Sequence, residues 1–201
     1  GITNVPSLAN VAYHPYYTRE GGVPTLEMQV LVPISEHNEF GFNIVEIVNR
    51  LEKDKVYQEM AMRAYGRALD AFVITRSIST FERSIISGNS KYDDYTTGEA
   101  NLTSEESLGK DLFFSEKTNC SVCHGGFNFT NYEFKNNGLY ETYSHSGRFR
   151  LTQKESDLAL FKTPSLRNLG FTAPYMHDGS IATLSDVINH YNSGGKPHKH
   201  K

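Results

Sequence analysis

The sequence predicts a mainly α-helical fold with long irregular loops. Three observations predict it. Apolar residues recur at helical spacing from Asn43 onward, helix-capping signals stand at Thr103 and Thr183, and residues 125–170 show no regular period. Residues 1–42 are rich in Pro, Gly and Asn. Pro6, Pro15, Pro24 and Pro33 interrupt that stretch and leave room for one short helix around Leu26 to Leu31. Ile44, Ile47, Val48 and Leu51 then fall at i, i+3, i+4 and i+7, one face of a helix. A second helix is predicted over Arg67 to Ser87, with Leu69, Phe72, Val73, Phe81 and Ile85 inward and Gly88-Asn89 ending it. Residues 88–102 read as a polar linker between two lobes. Thr103 and Glu106 form a capping box that opens a helix with Leu108, Leu112 and Phe113 on one face, and this helix is expected to run into Cys120. Many Gly, Asn, Tyr and Phe residues between 125 and 170 suggest a long loop wrapped over something. Thr183 caps a last helix, Leu184 to Tyr191, and His198 to Lys201 read as a solvated tail.

The composition narrows the function classes. Hydrophobic residues make up 38% and charged residues 21%, the balance of a soluble globular protein. A net charge of −3 offers no basic surface for nucleic acid. No apolar run is long enough to span a bilayer as a helix, and no secretory leader is visible. The two cysteines are three positions apart, too close to form a disulfide framework.

Those cysteines carry the strongest signal. Cys120-Ser-Val-Cys123-His124 is a C-x-x-C-H motif. In such a motif each thiol adds to one vinyl group of a haem and the adjacent His coordinates the iron. Two other chemistries use C-x-x-C. A zinc site needs two further ligands, for which His177 and His190 are available. A thioredoxin-like redox pair needs a βαβ context, which the pattern lacks. The haem reading requires attachment outside the cytoplasm, so the expected compartment is periplasmic.

Further segments, taken in order, resemble the bacterial di-haem cytochrome c peroxidases and the related MauG enzymes. They are Asn4-Val-Pro-Ser-Leu-Ala-Asn10, Thr25-Leu-Glu-Met-Gln29, Pro33-Ile34 with Asn38-Glu39, Phe81-Glu82-Arg83, Cys120 to His124, Gly147-Arg-Phe149, Thr163-Pro-Ser-Leu-Arg-Asn168, and Ala173-Pro-Tyr-Met-His-Asp-Gly179. The resemblance implies two cytochrome-c-like lobes with one haem each, and the motif here matches the second. Residues 1–102 would be the remainder of the peroxidatic lobe with the inter-lobe helices, and 103–201 the cytochrome-c-like domain. The chain is therefore expected to be a piece of a longer protein, with a natural mono-haem variant as the alternative.

The resemblance also assigns roles. Glu39 is the acid–base glutamate beside the peroxide-binding haem, with Gln29 and Pro33 lining the same pocket; without the resemblance, Glu39 would read as a surface acid in a turn. A calcium ion between the lobes would take the Asn4 side chain and the backbone carbonyls of Thr172 and Pro174, oxygen donors that suit a hard cation. His124 is the proximal ligand of the second haem. Its sixth ligand is a Met in the peroxidases and a Tyr in MauG-type enzymes. Here the Tyr is Tyr191, and Met176 is the competitor. Tyr191 is preferred because Leu184, Val187 and Ile188 share its helix face. Lys162 and Arg167 are the candidate cations for the haem propionates. The family's inter-haem Trp is missing, since the chain has no Trp at all, and Arg19 occupies the matching region beside Tyr16 and Tyr17.

The expected parent is a periplasmic peroxidase that reduces hydrogen peroxide to water with electrons from a small c-type cytochrome; a homodimer is left open. Two rivals are a MauG-like oxidase that modifies a protein and a mono-haem electron carrier without enzymatic activity.

Overall fold

The structure, a computed structural model, describes residues 3–201; Gly1 and Ile2, at the start of the expected first domain, lie outside the described residues. Short helices joined by long loops dominate it, with a single two-stranded sheet among the described residues. The Leu26 region forms two helical segments instead of one. Helix α1 (Leu26–Gln29) is capped by Thr25, whose hydroxyl accepts from the Met28 N–H, and α2 (Leu31–Ser35) follows after Val30. Helix α3 (Ile44–Leu51) starts where its spacing predicts, with the Asn43 side chain accepting from the Glu46 N–H at 2.9 Å.

Helix α4 (Lys55–Tyr65) escaped the sequence pattern. It buries only Ala61 and leaves Val56, Met60 and Met62 exposed, so no apolar stripe announces it. Helix α5 (Ala71–Arg83) is shorter than predicted at both ends, because Asp70 caps it and the chain turns at Ser84 to Ile86. Its inward face also differs from the prediction. Val73, Ile74 and Ser79 are buried, whereas Phe72 and Phe81 are exposed. The small Ser79 lets α5 approach α1, where its hydroxyl donates to Glu27 and Arg83 pairs with the same carboxylate at 2.8 Å. Phe72 instead lies on the surface under the guanidinium of Arg76, 3.5 Å from its ring centroid.

The expected linker contains a helix, α6 (Lys91–Thr97), opened by a Ser90/Asp93 capping box and closed by Gly98. Helix α7 (Ser104–Phe113) has the predicted Thr103/Glu106 box but ends seven residues before Cys120. A turn then leads into the single helical turn α8 (Cys120–Cys123). Strand β1 (Phe134–Lys135) pairs antiparallel with β2 (Phe161–Lys162), Phe134 opposite Lys162. Helix α9 (Phe149–Thr152) lies between them in sequence, preceded by Gly147, whose φ of 61° and contact with the Leu160 carbonyl leave no room for a Cβ. Helix α10 (Leu184–Asn192) is capped by Thr183 as expected.

Burial is concentrated in the N-terminal segment and α1. Val11, Tyr17 and Leu26 form a cluster flanked by Val23, which bridges to Tyr17. Asn10 ties this region to the loop after Cys123. It is 2% exposed, and its side chain bonds the Ser87 backbone at both ends and the buried Asn128 at 3.2 Å. The C-terminal residues are not a free tail. Lys196 N–H donates to the Gly138 carbonyl, Lys199 pairs with Glu155, and the His198 ring packs edge-on against Tyr143. No helix among the described residues is long and apolar enough to cross a membrane.

Candidate haem site

The C-x-x-C-H segment folds as a helical turn because Asn119 enters it in the left-handed conformation, at φ 52°. The His124 N–H then donates to the Cys120 carbonyl at 2.9 Å. A loop returns beneath the turn. The Asn131 N–H donates to the Cys123 carbonyl at 2.9 Å, and the Asn131 side chain donates to that of Val122 at 3.2 Å. Phe129 sits at φ 50°, and its carbonyl lies 3.0 Å from His124 Nδ1. This contact assigns the ring: Nδ1 carries the proton and Nε2 keeps its lone pair. Burial pushes the His124 imidazole below its ordinary value, opposed by the Phe129 and Pro164 carbonyls, so it stays neutral as a metal ligand must.

Sequence reasoning missed the brace that holds Phe129. Tyr92 of α6 packs edge-on against the Phe129 ring at 5.6 Å and stacks near Phe114 at 6.4 Å, while Phe113 meets Phe129 at 6.2 Å. Arg167 lies over the same ring, 5.1 Å from its centroid. Its Nη1 donates to both oxygens of Asp93, at 2.7 and 2.6 Å, and its Nε donates to the Phe127 carbonyl at 2.8 Å. Arg167, expected from sequence to be a cation near a haem propionate, thus also clamps Asp93 and the Phe127 carbonyl. The only available signal for the brace was Ser90 followed by Asp93, a capping box with Asp where Glu or Gln is usual.

Lys162 is the freer cation. Its Nζ donates to the Tyr16 carbonyl at 2.8 Å, and burial, with Arg19 adding, holds its ammonium down to about 8. Arg19 is buried too, donating to the Asn4 and Val5 carbonyls, and burial holds it down to about 10.

The two sixth-ligand candidates come together. Asn137 places its amide nitrogen 3.2 Å from Met176 Sδ and 3.5 Å from the Tyr191 hydroxyl. Burial pushes the Tyr191 phenol up; the Asn137 bond opposes this, and charge on Cys123 and Cys120 adds to it. The hydroxyl end lies beside the Asn137 amide, although Tyr191 as a whole is 52% exposed. Among the described residues no three His, Cys, Asp or Glu side chains gather as a metal site, and the suggested zinc ligands are engaged otherwise: His177 stacks on Phe161 at 4.1 Å, and His190 Nε2 bonds the Asn137 carbonyl at 3.0 Å.

Of the other sequence candidates, Pro33 and Glu39 lie close together. The Phe40 N–H donates to the Pro33 carbonyl at 3.2 Å, which folds the exposed Glu39 back beside α2. Gln29 precedes Pro33 by one helical turn, and its Oε1 is buried without a hydrogen-bond partner among the described residues. The Asn4 Nδ2 donates to the Pro174 carbonyl at 2.6 Å, so two of the three residues expected to hold calcium are adjacent.

The comparisons agree with this geometry. A sequence profile described as di-haem cytochrome c peroxidase matches residues 1–101. The methylamine utilization protein MauG of Methylophilus methylotrophus is 32% identical over 94% of this chain and 57% of its own length. The chain belongs to the di-haem cytochrome c peroxidase family. Another member, the cytochrome c peroxidase Ccp of Escherichia coli (strain K12), is 30% identical over 94% of this chain and 42% of that protein. A crystal structure of a MauG-like protein associated with microbial copper homeostasis superposes with a TM-score of 0.89 at 35% identity, covering 100% of this chain and 65% of that one. The chain spans about half the length of the curated relatives it matches. The family implies haem c, and the residues present fit it. Two thiols and a neutral imidazole with a free Nε2 share one turn, and α7, α8 and α10 around them bury no residue of their own, leaving Leu108, Val122, Ile188 and Tyr191 exposed.

Proposed function

We propose that this chain carries the electron-transfer haem of a periplasmic di-haem peroxidase that reduces hydrogen peroxide to water, with electrons supplied by a small c-type cytochrome. The observation that carries the reading is the His124 turn, whose Nδ1 is bound by the Phe129 carbonyl, together with the meeting of the Tyr191 hydroxyl and the Met176 thioether at the Asn137 amide. Cys120 and Cys123 would hold the haem covalently, His124 would be its proximal ligand, Tyr191 its sixth ligand and Lys162 a propionate partner. Bound there, the haem supplies one-electron redox chemistry. Residues 1–102 would belong to the peroxidatic lobe and 103–201 to the cytochrome-c-like domain.

The rest follows from this chain's own side chains. Beside the peroxide-binding haem of the other lobe, the Glu39 carboxylate would act as acid–base group, carrying a proton from one peroxide oxygen to the other. Gln29 orients the peroxide, a role supported by its buried, unpartnered Oε1. Pro33 offers only apolar surface and limits water on that side. Asn4, Thr172 and Pro174 would hold calcium between the lobes.

A second reading is favoured by Tyr191 and by the similarity to MauG: the oxidising equivalents pass to a protein side chain. A phenolate favours ferric or higher iron, whereas a thioether favours ferrous iron. Steady-state peroxide turnover by the haem-loaded full-length protein, supplied with reduced c-type cytochrome, separates the two. Glu39→Gln should lower that turnover by roughly 10²–10⁴-fold. No turnover with cytochrome, together with peroxide-dependent oxidation of a protein substrate, would support the second reading. The 201-residue chain, loaded with its one haem, should show little peroxidase activity because the sixth position is filled.

A further inference from the structure

We propose that Asn137 is the positioning residue that decides the sixth ligand: its amide engages the Met176 thioether and leaves Tyr191 to reach the iron. The inference rests on the reading that Tyr191 is that ligand. Asn137 follows strand β1, and its acceptor oxygens are already in use. Its Oδ1 accepts the Leu139 N–H at 3.2 Å, and its backbone carbonyl receives His190 Nε2 at 3.0 Å from the residue beside Tyr191. The Leu139 N–H, shared with the Tyr143 hydroxyl at 2.9 Å, takes the oxygen end of the amide, because only the oxygen can accept an N–H. The NH₂ end therefore faces Met176 Sδ at 3.2 Å and the Tyr191 hydroxyl at 3.5 Å.

Met176 is held in place by more than this bond. Its backbone has φ 74°, the left-handed region that a Met rarely adopts, and such strain persists only where surrounding structure imposes it. The imposing structure is the turn closed by the Tyr175–Ile181 bridge, with Gly179 N–H directed at the Met176 carbonyl at 3.4 Å. The backbone of Met176 is thereby fixed, and its thioether lies within reach of the Asn137 amide.

The two ligands respond differently to the same donor. A thioether is a weak acceptor and a soft, weak ligand, so an N–H directed at its sulfur competes with coordination. A phenolate oxygen has lone pairs enough to bind a metal and accept an N–H at once. One amide between them therefore selects for Tyr191. Met176 and Asn137 are 39 residues apart and Tyr191 is 54 residues beyond Asn137, so no local pattern reveals the arrangement.

The test uses the haem-loaded full-length protein, read by ferric absorption, EPR and reduction potential. Tyr191→Phe should abolish the phenolate-to-iron charge-transfer band. Asn137→Leu should weaken that band, introduce a low-spin thioether-ligated signal and raise the potential, and adding Met176→Leu should remove the new signal. Asn137→Asp keeps the acceptor for Leu139 and loses the donor, so it should shift the spectrum in the same direction even where Asn137→Leu folds poorly. Wild-type spectra from both Asn137 variants, alongside a changed Tyr191→Phe, would overturn the role of Asn137 alone. An unchanged Tyr191→Phe spectrum would overturn the Tyr191 reading and this proposal with it.

Discussion

The region around Leu26 and the region around Cys120 are built differently. The first has an ordinary core, in which Val11, Tyr17 and Leu26 are nearly inaccessible and α5 closes over α1 through the small Ser79. The second has helices that bury nothing, although Thr103 and Thr183 cap α7 and α10: α7, α8 and α10 contribute no buried residue. Its order comes from polar bracing, chiefly the Arg167–Asp93 pair, the Asn10–Asn128 contact and the carbonyl on His124. Helix caps define where a helix starts, but tertiary stability comes from burying an apolar face. The Cys120 region therefore has the design of a shell that closes on a prosthetic group.

The largest effect should come from denying it that group. With Cys120→Ala and Cys123→Ala together, covalent haem is lost, and backbone amides of α7 and α10 should exchange far faster while those of α5 stay protected. Equal protection of α5, α7 and α10 in haem-free protein, measured by hydrogen exchange, would break the comparison.

The polar brace should be worth nearly as much to its own half. Arg167→Leu leaves Asp93 as a mostly buried charge held only by Ser90, and breaking such a pair costs roughly 3–5 kcal/mol. Denaturant unfolding of the haem-loaded protein measures it; a loss under about 1 kcal/mol would place the pair among ordinary surface ion pairs.

In the other half, Leu26→Ala should cost roughly 2–5 kcal/mol, the range for truncating a fully buried Leu. The cost should be the same with and without haem, because Leu26 belongs to the conventional core. A cost that appears only in the haem-loaded form would show that the two regions fold as one.

The smallest effect is a pH dependence. Burial raises the Asp93 carboxyl, but hydrogen bonds from Arg167 and Ser90 outweigh it and hold the group at about 2, against an ordinary 3.8. A depressed folded-state value stabilises above the unfolded pKa and is lost as pH falls through the folded one. Nearly two units correspond to about 2 kcal/mol, lost between about pH 4 and pH 2. Glu27 is held at about 2 chiefly by the Arg83 hydrogen bond, so both halves weaken in overlapping windows. Asp93→Asn should flatten only the share that belongs to the haem half, as read from acid unfolding followed by probes in each region. An unchanged acid transition in that half would reassign the pH dependence to Glu27.

Much of this protein was legible without its structure, and what was legible was local. The vinyl-spaced cysteines with the adjacent His, the Thr103/Glu106 box and the Thr183 cap all act within four residues, so the sequence displays them directly. The family was legible too, because its segments recur in order along the chain. Helix α4 was not, since a helix with one buried residue carries no stripe, and α6 was hidden by an Asp in place of the usual Glu. Tertiary structure alone decided the rest. It gave Arg167 its clamp on Asp93, 74 residues away, and it brought Met176 and Tyr191 to a single amide. A cap is chosen by the residue next to it, whereas the partner of a buried charge or amide depends on which distant segment the fold delivers within about 3 Å, the reach of a hydrogen bond.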